Sequence, residues 1–174
     1  MMIRSLSAAC VGALIAAGLL LARPALAQDQ PTPPAGEEPV KPYEMKDANA
    51  GARPIRDHRL FAAFHGREGV ARIASDLVER SVADKRISEI FKSHDLVRLK
   101  RTLAEQFCYL LGGSCAYTGR DMKTTHADLG IQDADFNALV EELQLAMDKE
   151  GVPFRAQNRL LALLAPMHRD VVAR

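Results

Sequence analysis

The sequence predicts an all-α fold, and three observations carry the prediction. From about residue 57 onward, apolar residues recur at spacings of three and four, the period of one helix face. No segment sustains the apolar–polar alternation of a strand. Glycine and proline punctuate the periodic stretches at Gly66, Gly112-Gly113, Gly130, Gly151 and Pro153, where helices stop or start.

The elements follow in order. A short helix carries Leu60, Phe61 and Phe64 and stops at His65-Gly66. The next carries Val70, Ile73, Leu77 and Val78, and a short third carries Ile87, Ile90 and Phe91. Asp95 is a good N-cap for a fourth. Its stripe is Leu96, Leu99, Leu103, Phe107 and Leu110, and Gly112-Gly113 ends it. Asp121 can cap a helix of about two turns that Gly130 terminates. Asp133 can cap the next, with Phe136, Leu139, Val140, Leu143 and Met147 inward. Pro153 suits the first turn of the last helix, whose inward set is Phe154, Leu160, Leu161, Leu164 and Val171, and Pro166 should kink it.

Residues 1–27 read as a secretory signal peptide: Arg4, an apolar run from Ala8 to Ala22, and a small-x-small close at Ala25-Leu26-Ala27. The competing reading is an uncleaved N-terminal anchor, although the run is shorter than the roughly 20 residues that span a bilayer. Cleavage after Ala27 implies a secreted or periplasmic protein with no stable membrane insertion. Residues 28–56 contain QDQPTPPAGEEPVKP and no apolar period, so a disordered or polyproline-like linker is expected. The folded domain is then 57–174. Losing Arg4 and Arg23 takes Lys plus Arg from 23 to 21 against 22 acids. A near-neutral chain has no electrostatic case for nucleic acid.

Two cysteines remain, Cys108 and Cys115. An oxidising compartment permits a disulfide, but the preferred reading is a small buried residue at 108 and a loop thiol at 115. No triad, phosphate loop, carboxylate pair or cysteine-rich metal motif occurs.

One residue raises a chemical question. On a helix, Met122, His126 and Leu129 share a face, at spacings of four and three. An inward imidazole must be hydrogen-bonded or coordinated. The plain reading is a core histidine bonded to a backbone carbonyl. The sharper one is a metal or haem ligand. No second ligand sits at zinc spacing, whereas one proximal histidine suffices for haem.

The run from Leu60 to Val172 resembles the truncated haemoglobins of group I. The resemblance rests on Phe61 with His65-Gly66, on VADKRISEIF ending at Phe91, and on RLK at 98–100. LGG, YTGRDM and His126 follow in order, then GVP at 151–153 and LAP at 164–166. It implies a two-over-two helical sandwich holding haem b (iron protoporphyrin), with His126 as the iron ligand. It also implies a pocket wall of Phe91, Leu99, Leu103, Phe107, Met122, Phe136, Leu139 and Leu143. Lys100, Arg101, Tyr117, Arg120 and Lys123 are available to the haem propionates. The Met122 carbonyl, four residues back, is a partner for the second imidazole nitrogen.

The chain departs from that family on the distal side. The register puts Val78 where many members have tyrosine, and Leu99 and Leu103 at the usual polar positions. None donates a hydrogen bond. Gln106 is the one polar side chain near this face. The leading expectation is a five-coordinate haem protein that reversibly binds small diatomic gases (O2, NO, CO), with weak oxygen selectivity. Nitric oxide dioxygenation would also require a reductase. The other readings are extracytoplasmic redox or haem handling, and a haem-free partner-binding globin.

Overall fold

A computed structural model of the chain describes residues 33–172. Among them every regular element is helical and no strand occurs. The expected signal peptide and its cleavage site lie outside the described residues.

The helices begin where the sequence offers caps. The Asp57 side chain accepts from the Arg59 amide at 3.1 Å and opens α1, His58–Ala63. His65 and Gly66 both take positive φ, 58° and 68°, and turn the chain sharply into α2, Gly66–Ala83. A short α3, Ser88–Phe91, follows. Asp95 caps α4, Leu96–Leu110, by accepting from the Arg98 amide at 3.0 Å. Gly112 then reverses the chain at φ 80°. A Cβ there would fall 2.3 Å from the Ile55 carbonyl, so the turn admits only glycine. After α5, Met122–His126, come α6, Asp133–Lys149, and α7, Phe154–Leu164. Pro166 sits in a 3-10 turn, Ala165–Met167, which breaks the last helix as expected before α8, His168–Val171.

Three details differ from the expectations. The N-cap of α6 is Gln132, whose amide donates to Asp135 at 2.9 Å, and Asp133 is the first helical residue. Phe154 is not inward but 69% exposed, because it lies in the first turn of α7, outside the α6 contact. Helix α5 is one turn rather than two. Ala127 is already extended at ψ 141° and Asp128 is left-handed at φ 66°, so Gly130 lies in the following loop.

The core is two clusters. In the first, Val70, Ile73 and Leu77 of α2 meet Phe107 and Cys108 of α4, Leu143 and Met147 of α6, and Leu160 of α7. Burying each of the larger side chains contributes about 1.5–3 kcal/mol. In the second, Leu110, Tyr117, Ile131, Met167 and Val171 enclose Ala50, with Met122, Leu129 and Phe136 against them.

The stretch from 33 to 56 has no helix beyond one 3-10 turn, Asp47–Ala50, as its prolines and polar residues suggest. It is nonetheless bound to the helices, which its composition did not suggest. Glu37, Asn49 and Ala50 are buried, and the Ile55 amide donates to Leu110 at 2.8 Å. Cys108 and Cys115 form a disulfide, with Cα atoms 5.8 Å apart. This reverses the preferred sequence reading. The Gly112-Gly113 turn folds the loop back on α4 and brings the sulfurs together, a reach that spacing alone could not establish.

Candidate functional site

Between the two core clusters runs an apolar slot. Leu99, Thr102, Leu103, Gln106 and Phe107 line it from α4, with Leu77 from α2. Phe136, Leu139, Val140 and Leu143 line it from α6, and Leu164, Met167 and Val171 from the C-terminal segment. Met122, Thr125 and His126 face it from α5, with Tyr117 from the loop before. Leu99, Leu103, Phe136 and Leu139 lie on the inward stripes of their helices yet are only half-buried. Their apolar surface is not covered by other side chains, which is costly unless a flat apolar group covers it.

The position of His126 is set locally. The Asp121 carboxylate accepts from the Thr124 amide at 2.9 Å and starts α5, and this backbone bond also holds its carboxyl below the usual range. One turn later, His126 Nδ1 donates to the Met122 carbonyl at 2.7 Å. That bond selects the tautomer with the proton on Nδ1 and leaves a lone pair on Nε2. Burial is the larger influence and lowers the imidazole pKa, with the Met122 carbonyl opposing it. The ring is therefore neutral at pH 7, as a metal ligand must be. Among the described residues no three His, Cys, Asp or Glu side chains converge on a metal position. A lone imidazole facing an apolar slot suits a metal carried in a prosthetic group, not a free ion.

Three other polar side chains of the wall, Thr102, Gln106 and Tyr117, are already engaged. Thr102 Oγ1 donates to the Arg98 carbonyl at 3.0 Å. Gln106 Nε2 donates to the Ala50 carbonyl at 3.0 Å and lies 3.4 Å from the Met122 sulfur. The Tyr117 hydroxyl donates to the Arg120 carbonyl at 3.0 Å, and burial pushes its pKa up. Gly119 makes room for this tyrosine: a Cβ there would fall 2.2 Å from its hydroxyl oxygen.

Of the residues named from the sequence, Leu99, Leu103, Phe107, Tyr117, Met122, His126, Phe136, Leu139 and Leu143 line this slot. Two expected residues are elsewhere. Phe91 ends α3, half-buried and outside the slot wall. Lys100 points away from the slot, because its ammonium is paired with Glu79 of α2 at 2.8 Å. Among the other rim cations, Arg101 is held by Glu37 and Glu105, and Arg120 stacks over Tyr43. Lys123 flanks His126 at the surface beside Arg169. From α2 the lining residue is Leu77, one position before the Val78 given by the family register. Sequence reasoning also missed Met167, hidden behind the Pro166 break; it placed Gln106 near this face but did not foresee its bond to Ala50. A lone amide on the otherwise apolar face of α4 was the available signal.

The family profile described as Bacterial-like globin matches residues 59–173. The chain belongs to the bacterial-like globin family. It is 30% identical over 112 residues to the Group 1 truncated hemoglobin GlbN of Mycolicibacterium paratuberculosis, covering 64% of this chain and 82% of that protein. It is 26% identical over 110 residues to the Group 1 truncated hemoglobin of Tetrahymena pyriformis, covering 63% and 91%. The crystal structure of the Tetrahymena pyriformis protein in its Fe(III) form superposes with a TM-score of 0.63 at 21% identity, covering 66% of this chain and 98% of that one. The 2/2 hemoglobin of Synechococcus sp. PCC 7002, in the cyanomet state with covalently attached heme, gives 0.61 at 24%, with the same coverage. The globin described above is thus a truncated, two-over-two haemoglobin fold, and haem binding is the function its family carries.

Proposed function

We propose that this globin binds haem b in the slot between α4 and α5, where His126 Nε2 would hold the iron, and that it takes up small diatomic gases there. The observation that carries the reading is the neutral, Nδ1-anchored His126 on the edge of an apolar slot that protein side chains leave uncovered. Bound haem would supply the iron to which a gas adds.

The chain's own residues determine which gas is favoured. Leu77, Leu99 and Leu103 offer no donor, Thr102 and Tyr117 spend theirs on backbone carbonyls, and Gln106 Nε2 donates to the Ala50 carbonyl and faces the sulfurs of Met122 and Met167. Oxygen, whose bound form is polar, gains most from a donor. Nitric oxide and carbon monoxide need one less. The favoured ligands are therefore those that require no hydrogen bond, and fast oxygen release is expected. Nitric oxide dioxygenation is disfavoured, because it depends on retained oxygen and a separate reductase. His94 is exposed and outside the slot wall, which favours five-coordinate iron.

An extracytoplasmic location is proposed with it, supported by the N-terminal sequence pattern and by the Cys108–Cys115 disulfide. Among the described residues no helix is long and apolar enough to cross a membrane. Absorption spectra of the ferric and ferrous protein, with and without carbon monoxide, test the reading. A protein that stays colourless after haem is supplied would refute it.

A further inference from the structure

The segment before α1 does something the helices do not: it ties the two walls of the slot together. At one end Glu37, its side chain 1% exposed, is held by Arg98 and Arg101 of α4. The Glu38 amide donates to Asp95 at 2.8 Å, at the start of the same helix. At the other end the segment grips the loop that leads into α5. The Tyr43 hydroxyl donates to the Thr118 carbonyl at 2.7 Å. Asn49 Nδ2 donates to the Gly119 carbonyl at 3.2 Å, and the Tyr117 amide donates to Asp47 at 2.9 Å. Arg101 closes the circuit by donating to Thr118 Oγ1 at 2.6 Å.

These attachments matter because the slot is narrow. Its volume of about 140 Å³ lies below the roughly 300–1,000 Å³ of formed ligand sites. A planar macrocycle needs more room than that, and separation of α4 from the 117–126 segment would supply it. That motion must break the bridge. The charges around Glu37 make it a firm clasp. Arg101 is the main partner and Arg98 the second, while Asp95 opposes them and Glu105 shares Arg101. Breaking a buried pair by removing one charge leaves the other uncompensated.

We infer that residues 37–50 form a latch that ties α4 to the 117–119 loop, and that release of Glu37 from Arg98 and Arg101 controls the rate at which haem is taken up and lost. This rests on the haem-binding reading above. It adds that haem exchange is governed by a segment outside the globin helices.

The test uses the full chain loaded with haem. Haem transfer to an excess of apomyoglobin is followed in wild type, Glu37→Gln, Tyr43→Phe and the control Arg72→Gln. The control breaks a pair with Glu150, and neither residue lines the slot. Tryptic cleavage after Lys46 is timed in the same proteins without haem. The latch predicts transfer at least tenfold faster in Glu37→Gln, a smaller acceleration in Tyr43→Phe, and faster cleavage in both. Arg72→Gln should match wild type in each assay. Tyr43→Phe keeps the test alive should Glu37→Gln not fold. Unchanged transfer in both latch variants, or equal acceleration in the control, overturns the latch and leaves haem binding standing. Absence of a Soret band in wild type overturns both.

Discussion

Replacing Leu103 by glutamine adds a hydrogen-bond donor to an apolar stretch of the slot wall. Leu103 is a half-buried wall residue of α4, one turn beyond Leu99 in the lining of the slot. Glutamine is close to leucine in volume, so the substitution changes polarity more than packing. A net hydrogen bond is worth about 0.5–1.5 kcal/mol, and up to about 3 kcal/mol when one partner carries charge. A polar oxygen adduct belongs toward the upper end, so a gain of about 1–3 kcal/mol is expected, or roughly 5- to 150-fold in affinity. Most such gains appear in the dissociation rate. Flash photolysis of the ferrous protein, with oxygen displaced by carbon monoxide, measures that rate. Leu103→Gln should slow oxygen dissociation by at least about fivefold and leave carbon monoxide dissociation within about twofold. Slow oxygen release in wild type, or a Leu103→Gln rate equal to it, would refute the reasoning that the distal wall lacks a free donor.

Further expectations concern stability. The Cys108–Cys115 disulfide closes a short loop, with a sequence separation of 7. Chain entropy gives about 2.5 kcal/mol for it, so Cys108→Ser with Cys115→Ser should lower Tm by on the order of 10 °C; thiol titration of the wild type should find neither cysteine free. Leu160 is 0% exposed, and Leu160→Ala should cost about 2–5 kcal/mol in a urea titration. Glu150 is held down to about 2, chiefly by its hydrogen bond to Arg72, against an ordinary 4.5. A depressed carboxyl stabilises fully above 4.5 and loses that contribution as pH falls toward 2. Thermal melts between pH 6 and 2.5 should show this acid limb, and Arg72→Gln should flatten it.

Much of the fold could be read from the chain because its signals are local. Asp95 and Asp121 cap the helices that the sequence assigned to them, and the apolar stripe of α4 faces inward as its spacing requires. Phe154 misled because a single large apolar residue after a proline fits either face of a first turn. The α5 boundary misled because Ala127 and Asp128 leave helical geometry before the glycine that was expected to end the helix.

The rest was hidden because it depends on long-range pairing. Nothing in QDQPTPPAGEEPVKP announces that Glu37 is buried against Arg98 and Arg101, over sixty positions away. The disulfide depended on how sharply Gly112-Gly113 turns, and Lys100 was drawn from the rim by a glutamate on another helix. In the site, the His126–Met122 bond was legible because both partners lie on one helical turn. Met167 was not, because Pro166 resets the helical phase between Leu164 and Val171.

Ligation through His126 can be read from the Soret and visible bands of the haem-loaded protein and of His126→Gly, each with and without added imidazole. Wild type should show a five-coordinate ferrous spectrum that shifts on adding carbon monoxide. His126→Gly should lose that spectrum or its haem, and imidazole should restore it. A wild-type protein that takes up no haem, or a His126→Gly spectrum identical to wild type, would contradict the assignment.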